Sequence, residues 1–195
     1  MILPIRWIIS ARNGRNLGTS FSGIYTGYVA SVCQIEQIMH FLDTFQTADT
    51  FLLVDPVMGD DGVTYDMYTS GLLTAMKELV ARADVITPNI TEFCLLTDMD
   101  YNTLQNSSLS LHQLISCLKD ASHTLTAERT KKILITGIRF TTDDGIPKIG
   151  NLLLDGSSAF SVGISLLRWK LFRYLAISLP PVSQVDLPAE LPLQK

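Results

Sequence analysis

Apolar residues recur along the chain in two different periods, and the alternation between them outlines a fold. Ser31 and Gln34 form a capping-box pair. Behind them Val32, Ile35, Met39, Leu42 and Phe45 stand at helical spacing and predict an amphipathic helix of about four turns. Leu72, Leu73, Met76, Leu79 and Val80 predict a second helix over 69–82. Residues 91–97 read as a short helix, and Ser110 with Gln113 opens a longer one that has Leu111, Leu114, Ile115 and Leu118 on one face. Between these lie apolar runs too short for helices: 23–29 entering a turn, 50–55, 84–87, 132–136 and a short 151–154, the last read as antiparallel. The run Thr50-Phe-Leu-Leu-Val-Asp55 is continuously apolar until an acid and Pro56 close it, the pattern of a strand buried on both faces of a parallel sheet. Residues 56–66 form a Gly- and Asp-rich loop. Strand and helix alternating at this spacing predict βαβ units, hence an α/β fold with a mostly parallel sheet flanked by helices.

Composition narrows the function classes. The 195 residues suit one domain with a real core, and 47% apolar against 17% charged residues argue against disorder. A formal charge of −4 is the wrong sign for a nucleic-acid binder. No apolar run approaches the roughly 18 residues of a membrane span. The opening Met-Ile-Leu-Pro-Ile-Arg-Trp-Ile-Ile lacks a basic leader region and a cleavage site, so no signal peptide is read. Cys33, Cys94 and Cys117 form no CxxC pair and leave an odd thiol, which suits a reducing, cytoplasmic setting; they read as small buried apolar side chains. His40, His112 and His123 have no metal-ligand spacing and read as surface or packing residues. Charge is unevenly spread: residues 1–21 and 163–195 together carry +5, whereas 22–162 carry −9. Half of the eight prolines follow residue 179. The chain therefore divides into an atypical segment 1–21, an acidic core 22–162 and a basic, Pro-rich tail 163–195.

In open α/β sheets ligands bind beyond the carboxyl ends of the strands, and three of those ends share one chemistry. The first is Asp55-Pro-Val-Met-Gly-Asp60, the second Thr87-Pro-Asn89 with Glu92 a turn later, the third Thr136-Gly137. Asp55, Asp60 and Glu92 are positioned to share a hard cation such as Mg²⁺, which takes carboxylate oxygen, water and substrate phosphate. Asn89 and Thr136 offer hydrogen bonds to phosphate oxygens, and Gly137 lets backbone approach a nucleotide. Each has a structural alternative: Asp-Pro starts turns, and Asn89 or Thr91 caps a helix.

Tyr25-Thr-Gly-Tyr28, Leu53-Val-Asp-Pro-Val-Met-Gly-Asp60, Ala83-Asp-Val-Ile-Thr-Pro-Asn-Ile-Thr-Glu92 and Ile133-Leu-Ile-Thr-Gly137 follow one another as they do in the pyridoxal kinases of the ribokinase superfamily. The resemblance, to the bacterial pyridoxal or pyridoxamine kinases in particular, covers residues 22–162; DPVM and TPN also occur in hydroxymethylpyrimidine kinases. It implies a ribokinase-like fold and ATP-dependent phosphorylation of the 5′-hydroxymethyl group of pyridoxal or pyridoxamine, with Mg²⁺. By motif position, Asp55, Asp60 and Glu92 would serve the metal. Asp55, Asn89, Glu92, Thr136 and Gly137 would line the ATP phosphates, and Tyr28 would lie near the pyridine. Phosphoryl transfer is mostly positioning and charge neutralisation, which is the chemistry these residue types supply.

The resemblance stops at both ends. Family members open with a strand and Gly-rich segment that build much of the vitamin site, and later carry a Gly-Thr-Gly-Asp motif whose amides bind the transferring phosphoryl group and whose Asp is the general base. Nothing after Val162 matches it; Asp143-Asp-Gly145 and Asp155-Gly156 read as turns. The chain is thus expected to be a truncated or frame-shifted copy with no catalytic base and very low turnover, its fold incomplete at both ends and a hydrophobic sheet edge exposed. The tail reads as substituted sequence covering core rather than as a membrane-surface helix, because Arg168, Lys170 and Arg173 do not separate from Trp169, Phe172 and Leu175. Family kinases are homodimers as a rule; the altered N-terminal region leaves that open here. A hydroxymethylpyrimidine kinase and a non-catalytic ATP-binding remnant are the alternatives.

Overall fold

A computed structural model describes residues 20–106, 109–126, 131–142, 144–156 and 158–165. The expectations for residues 1–19 and for the tail beyond Ser165 lie outside these residues.

Six strands form one mixed sheet in the order β1 (Gly23–Thr26), β2 (Phe51–Val54), β5 (Val85–Ile86), β6 (Lys132–Thr141), β7 (Pro147–Asp155) and β8 (Ser158–Ser165). The first four are mutually parallel and the last three antiparallel. Helices α1 (Val32–Phe45) and α2 (Ser70–Arg82) fill the first two crossovers, while α3 (Ile90–Thr97), α4 (Tyr101–Asn106) and α5 (Leu111–Thr126) fill the third. The Ser31 hydroxyl accepts from Gln34 N–H, but the Gln34 side chain accepts from Ala30 N–H rather than Ser31 N–H, so half of the predicted capping box forms, and Thr69 caps α2 by accepting from Leu72 N–H.

Ile35, Leu42 and Phe45 of α1 and Leu72, Met76, Leu79 and Val80 of α2 are buried. All but Phe45 share one core cluster with Leu52, Val54, Ile86, Ile133, Ile135, Leu152 and Leu154 of the sheet, while Phe45 packs against the rings of Phe21 and Phe41. The alternate residues Leu53, Val85, Leu134 and Leu153 are only half-buried and Phe51 is exposed. The expectation that the 50–55 run is buried on both faces is therefore met on one face only among the described residues. β1 is an edge strand there, with Tyr25 exposed upon it.

Several features differ from the sequence pattern. The 56–66 loop contains a hairpin of two-residue strands, β3 (Gly59–Asp60) and β4 (Val63–Thr64). The fourth strand continues past a bulge between Ile135 and Ile138, and the short antiparallel strand is nine residues long. β8, which spans the boundary read at residue 162, pairs with β7 from Lys148 to Asp155. Cys94 is buried as expected, whereas Cys33 is exposed. Lys131 is a buried cation, 3% exposed, whose ammonium donates to the carbonyls of Val80 (2.6 Å) and Ala81 (3.2 Å) at the end of α2. No helix among the described residues is long and apolar enough to cross a membrane.

Candidate active site

The carboxyl ends of β1, β2 and β5 and the bulge within β6 lie along one side of the sheet, and the chain there is stitched to its neighbours. Asp55 continues the β1–β2 pairing, its N–H donating to Thr26 O at 2.8 Å. Its half-buried carboxylate accepts from the Tyr25 hydroxyl at 3.3 Å, and the Thr87 side chain also favours its charged form. Burial pushes the Asp55 carboxyl upward, against the opposing effect of those two side chains. Thr26 at the end of β1 keeps a buried hydroxyl with no hydrogen-bond partner among the described residues. From sequence, Tyr25, Thr26 and Thr87 have no role of their own, although Tyr25 and Thr26 lie in the Tyr-Thr-Gly-Tyr segment and Thr87 opens the Thr-Pro-Asn motif. Tyr28, in the loop that follows, is 57% exposed.

Glu92 is the most confined acid among the described residues, 3% exposed. One oxygen accepts from Met58 N–H at 3.1 Å and the other from Asn89 N–H at 2.8 Å. Asn89 reciprocates, its Oδ1 accepting from Glu92 N–H at 2.9 Å, so the pair forms a capping box at the start of α3. The Asn89 amide nitrogen then donates to Gly59 O at 2.7 Å. A single Asn–Glu pair thus both starts α3 and holds the loop that follows β2. Burial, with a smaller contribution from the nearby Asp55 charge, pushes Glu92 up to about 7 despite its amide donors.

The hairpin tip is anchored separately. Gly62 N–H donates to the buried Thr91 hydroxyl at 2.9 Å, and the ring of Tyr101 on α4 lies over Gly62, where a Cβ would come within 2.5 Å of it. Asp60 accepts from Asp61 N–H at 2.9 Å, and Asp61 pairs with Arg139 at 2.9 Å. Thr136 N–H donates to Pro88 O at 2.9 Å, and Thr136 and Asn89 form an isolated parallel bridge between the two strand ends. Gly137 follows in the bulge with φ +74°, a conformation that favours glycine, and its N–H faces Asn151 Oδ1 at 3.4 Å.

Asp55, Asp60 and Glu92 do not form a closed three-carboxylate cluster: among the described residues no three acidic, His or Cys side chains are grouped to hold a metal by themselves. Asp60 sits at the hairpin, while Glu92 is buried with both oxygens on backbone amides. The donor set still fits Mg²⁺ in its usual mode, one or two carboxylates with the remaining positions left to water and phosphate. Asp55 and Glu92 are near enough for the charge of one to raise the other, a repulsion that a cation beside them would relieve. Asn89 is placed at the strand end, but both ends of its amide are already engaged within the protein.

Residues 18–164 match the family model described as phosphomethylpyrimidine kinase. The pyridoxine/pyridoxal/pyridoxamine kinase of Bordetella avium is 28% identical over 121 residues, 58% of this chain and 40% of that protein. A Bacteroides thetaiotaomicron protein described as a putative phosphomethylpyrimidine kinase, in a crystal form with pyridoxal, superposes with TM-score 0.66 at 29% identity, covering 80% of this chain and 51% of that one. The pyridoxal kinase of Lactobacillus plantarum gives TM-score 0.62 at 28% identity, over 80% of this chain and 51% of that one. The chain spans about a third to a half of the length of the proteins it matches.

Proposed function

Because the chain belongs to the phosphomethylpyrimidine kinase family, we propose that the clustered strand ends are the ATP- and Mg²⁺-facing part of a kinase site for the 5′-hydroxymethyl group of pyridoxal or pyridoxamine. The observation that carries the reading is that Asp55 and Glu92 stand near enough at adjacent strand ends for their charges to interact, with Glu92 and its capping partner Asn89 tied to the Met58–Gly59 backbone that follows β2. Bound Mg²⁺ would neutralise phosphate charge during transfer. Asp55, half-buried and steadied by Tyr25 and Thr87, would hold it directly. Glu92 fixes the Met58–Gly59 backbone and takes part through water, and Asp60 faces the same region from the hairpin. Asn89, Thr136 and Gly137 shape the strand-end cradle for the nucleotide, and Tyr28 stands where the vitamin ring would enter.

Pyridoxal is preferred over the pyrimidine substrate because of the Tyr25-Thr-Gly-Tyr28 segment and the pyridoxal-named relatives. The family description itself favours hydroxymethylpyrimidine as the second reading. The sequence has no Gly-Thr-Gly-Asp segment. A missing general base costs about 10²–10⁴ in rate, so turnover by this chain is proposed to be low.

The test is formation of pyridoxal 5′-phosphate from ATP, Mg²⁺ and pyridoxal, with hydroxymethylpyrimidine in parallel and Asp55→Asn as control. Slow product that vanishes in the variant supports the reading. Absence of both product and Mg²⁺-dependent ADP binding by folded protein overturns it, and binding without product identifies a non-catalytic nucleotide binder.

A further inference from the structure

The strand-end site is rich in acids and poor in cations, yet a nucleotide brings a polyphosphate. Asp55, Asp60, Asp61 and Glu92 all lie on its loops or the helix start beside them. The start of α3 does not present an open set of amides to an anion, because Asn89 closes it and Glu92 stands in its first turn. Most described lysines and arginines lie elsewhere. Lys77 pairs with Asp98 beyond the end of α3, Arg82 ends α2 and pairs with Asp43, and Lys131 and Lys132 stand at the opposite end of β6. Among the described residues, the lysines and arginines on β6 and β7 beyond the Thr136–Gly137 bulge are Arg139 and Lys148, on adjacent rungs of the ladder.

Arg139 is the one tied to the site. Its guanidinium meets Asp61 at 2.9 Å, and both side chains are more than half exposed. Asp61 belongs to the hairpin tip that Thr91 and Tyr101 hold over the start of α3. The Tyr101 phenol is pushed up chiefly by burial, and the charges of Asp61, Arg139 and Asp60 also act on it. An exposed ion pair of this kind is weak and exchangeable, and a guanidinium binds phosphate in the same forked geometry as carboxylate.

We propose that Arg139 is the polyphosphate-binding cation of this site, held at its mouth by Asp61 and passed to the ligand's phosphate when the ligand binds. The proposal rests on the nucleotide reading above, but its chemistry asks only for a phosphate chain. Asp61 would then oppose binding twice, by its own charge and by occupying Arg139.

The experiment is calorimetric or fluorescence titration of the full chain with ADP, AMP, adenosine and inorganic tripolyphosphate. Wild type is compared with Arg139→Gln, Arg139→Lys, Asp61→Asn and the Asp61→Asn/Arg139→Gln double variant, all checked by thermal melting. Arg139→Gln should weaken ADP and tripolyphosphate binding about tenfold and leave adenosine unchanged, with Arg139→Lys recovering part of the loss. Asp61→Asn should tighten ADP several-fold in the wild-type background and much less in the Arg139→Gln background.

Equal weakening by Asp61→Asn and Arg139→Gln would make the pair a structural clasp and overturn the proposal while leaving nucleotide binding intact. Equal tightening by Asp61→Asn in both backgrounds would reduce its effect to plain repulsion and also overturn it. Tripolyphosphate binding with the expected variant pattern, but without preference for ADP, would uphold Arg139 and sink the kinase reading. No binding of either ligand would overturn both.

Discussion

Replacing Glu92 by glutamine tests the site's central interaction because charge and hydrogen bonding then pull in opposite directions. In the folded protein Glu92 titrates at about 7 rather than near 4.5, chiefly because it is buried. Between those two pH values the folded chain holds a proton that the unfolded chain has released. The folded state is therefore favoured most below about 4.5, and its stability falls as pH rises, levelling off above about 7. A shift of this size corresponds to about 3 kcal/mol. The Glu92→Gln side chain would have no charge to bury, but only one carbonyl oxygen for the two amides of Met58 and Asn89. Its NH₂ would face one of them, at a cost of about 1–3 kcal/mol.

Urea unfolding followed by circular dichroism at pH 5 and pH 8 separates the two effects. Wild type should lose about 2.5 kcal/mol over that range, slightly less than the full shift because pH 5 lies above 4.5. Glu92→Gln should be the less stable protein at pH 5, much flatter with pH, and close to or above wild type at pH 8. A residual slope of the same sign is expected from Asp55, which burial also raises. Removing that charge with Asp55→Asn should reduce the wild-type slope, because the Asp55 charge helps to raise Glu92. Parallel profiles for wild type and Glu92→Gln would refute the assignment of the titration to Glu92.

Three further substitutions probe the supports of the fold around the site. Gly59→Ala would place a Cβ 2.5 Å from Val63 O, backbone that has no flexible end to move, so the β3–β4 hairpin should loosen and the protein lose about 1–3 kcal/mol; an unchanged melting temperature would contradict this packing. Asn89→Ala removes the cap of α3 and leaves Gly59 O without its donor. It should cost about 2 kcal/mol in urea unfolding and speed amide exchange at Glu92, and protection equal to wild type would deny the capping box its role. Lys131→Met deletes the donor that meets the Val80 and Ala81 carbonyls. A loss of about 1–3 kcal/mol is expected, whereas a stabilised variant would show that desolvation of the ammonium outweighs its hydrogen bonds.

Local order was written in the amino acids. Helix α1 follows from the Ser31–Gln34 cap and a repeat that buries Ile35, Leu42 and Phe45 together. The parallel strands follow from apolar runs ended by Asp55 and Pro88. The motifs put Asp55, Asn89 and Thr136 along one side because Asp55 and Asn89 follow β2 and β5, and Thr136 lies at the β6 bulge, where it bridges Asn89. Tertiary contact decided the rest. Two-residue strands such as β3 and β4 have no period to read, and form because Asn89 and Thr91 hold their backbone. The motif marked Glu92 as an acid, but the amide of Met58, 34 residues earlier, and the burial around it made the carboxyl a lock titrating near neutrality. Nothing near Arg139 or Lys131 announced its partner. Asp61 is brought to Arg139 by the hairpin, and packing brings the end of α2 to Lys131 across 50 residues of chain. Periodicity records what each residue needs from its neighbours within a turn or a rung. Which distant backbone group meets a buried charge is settled only when the elements pack.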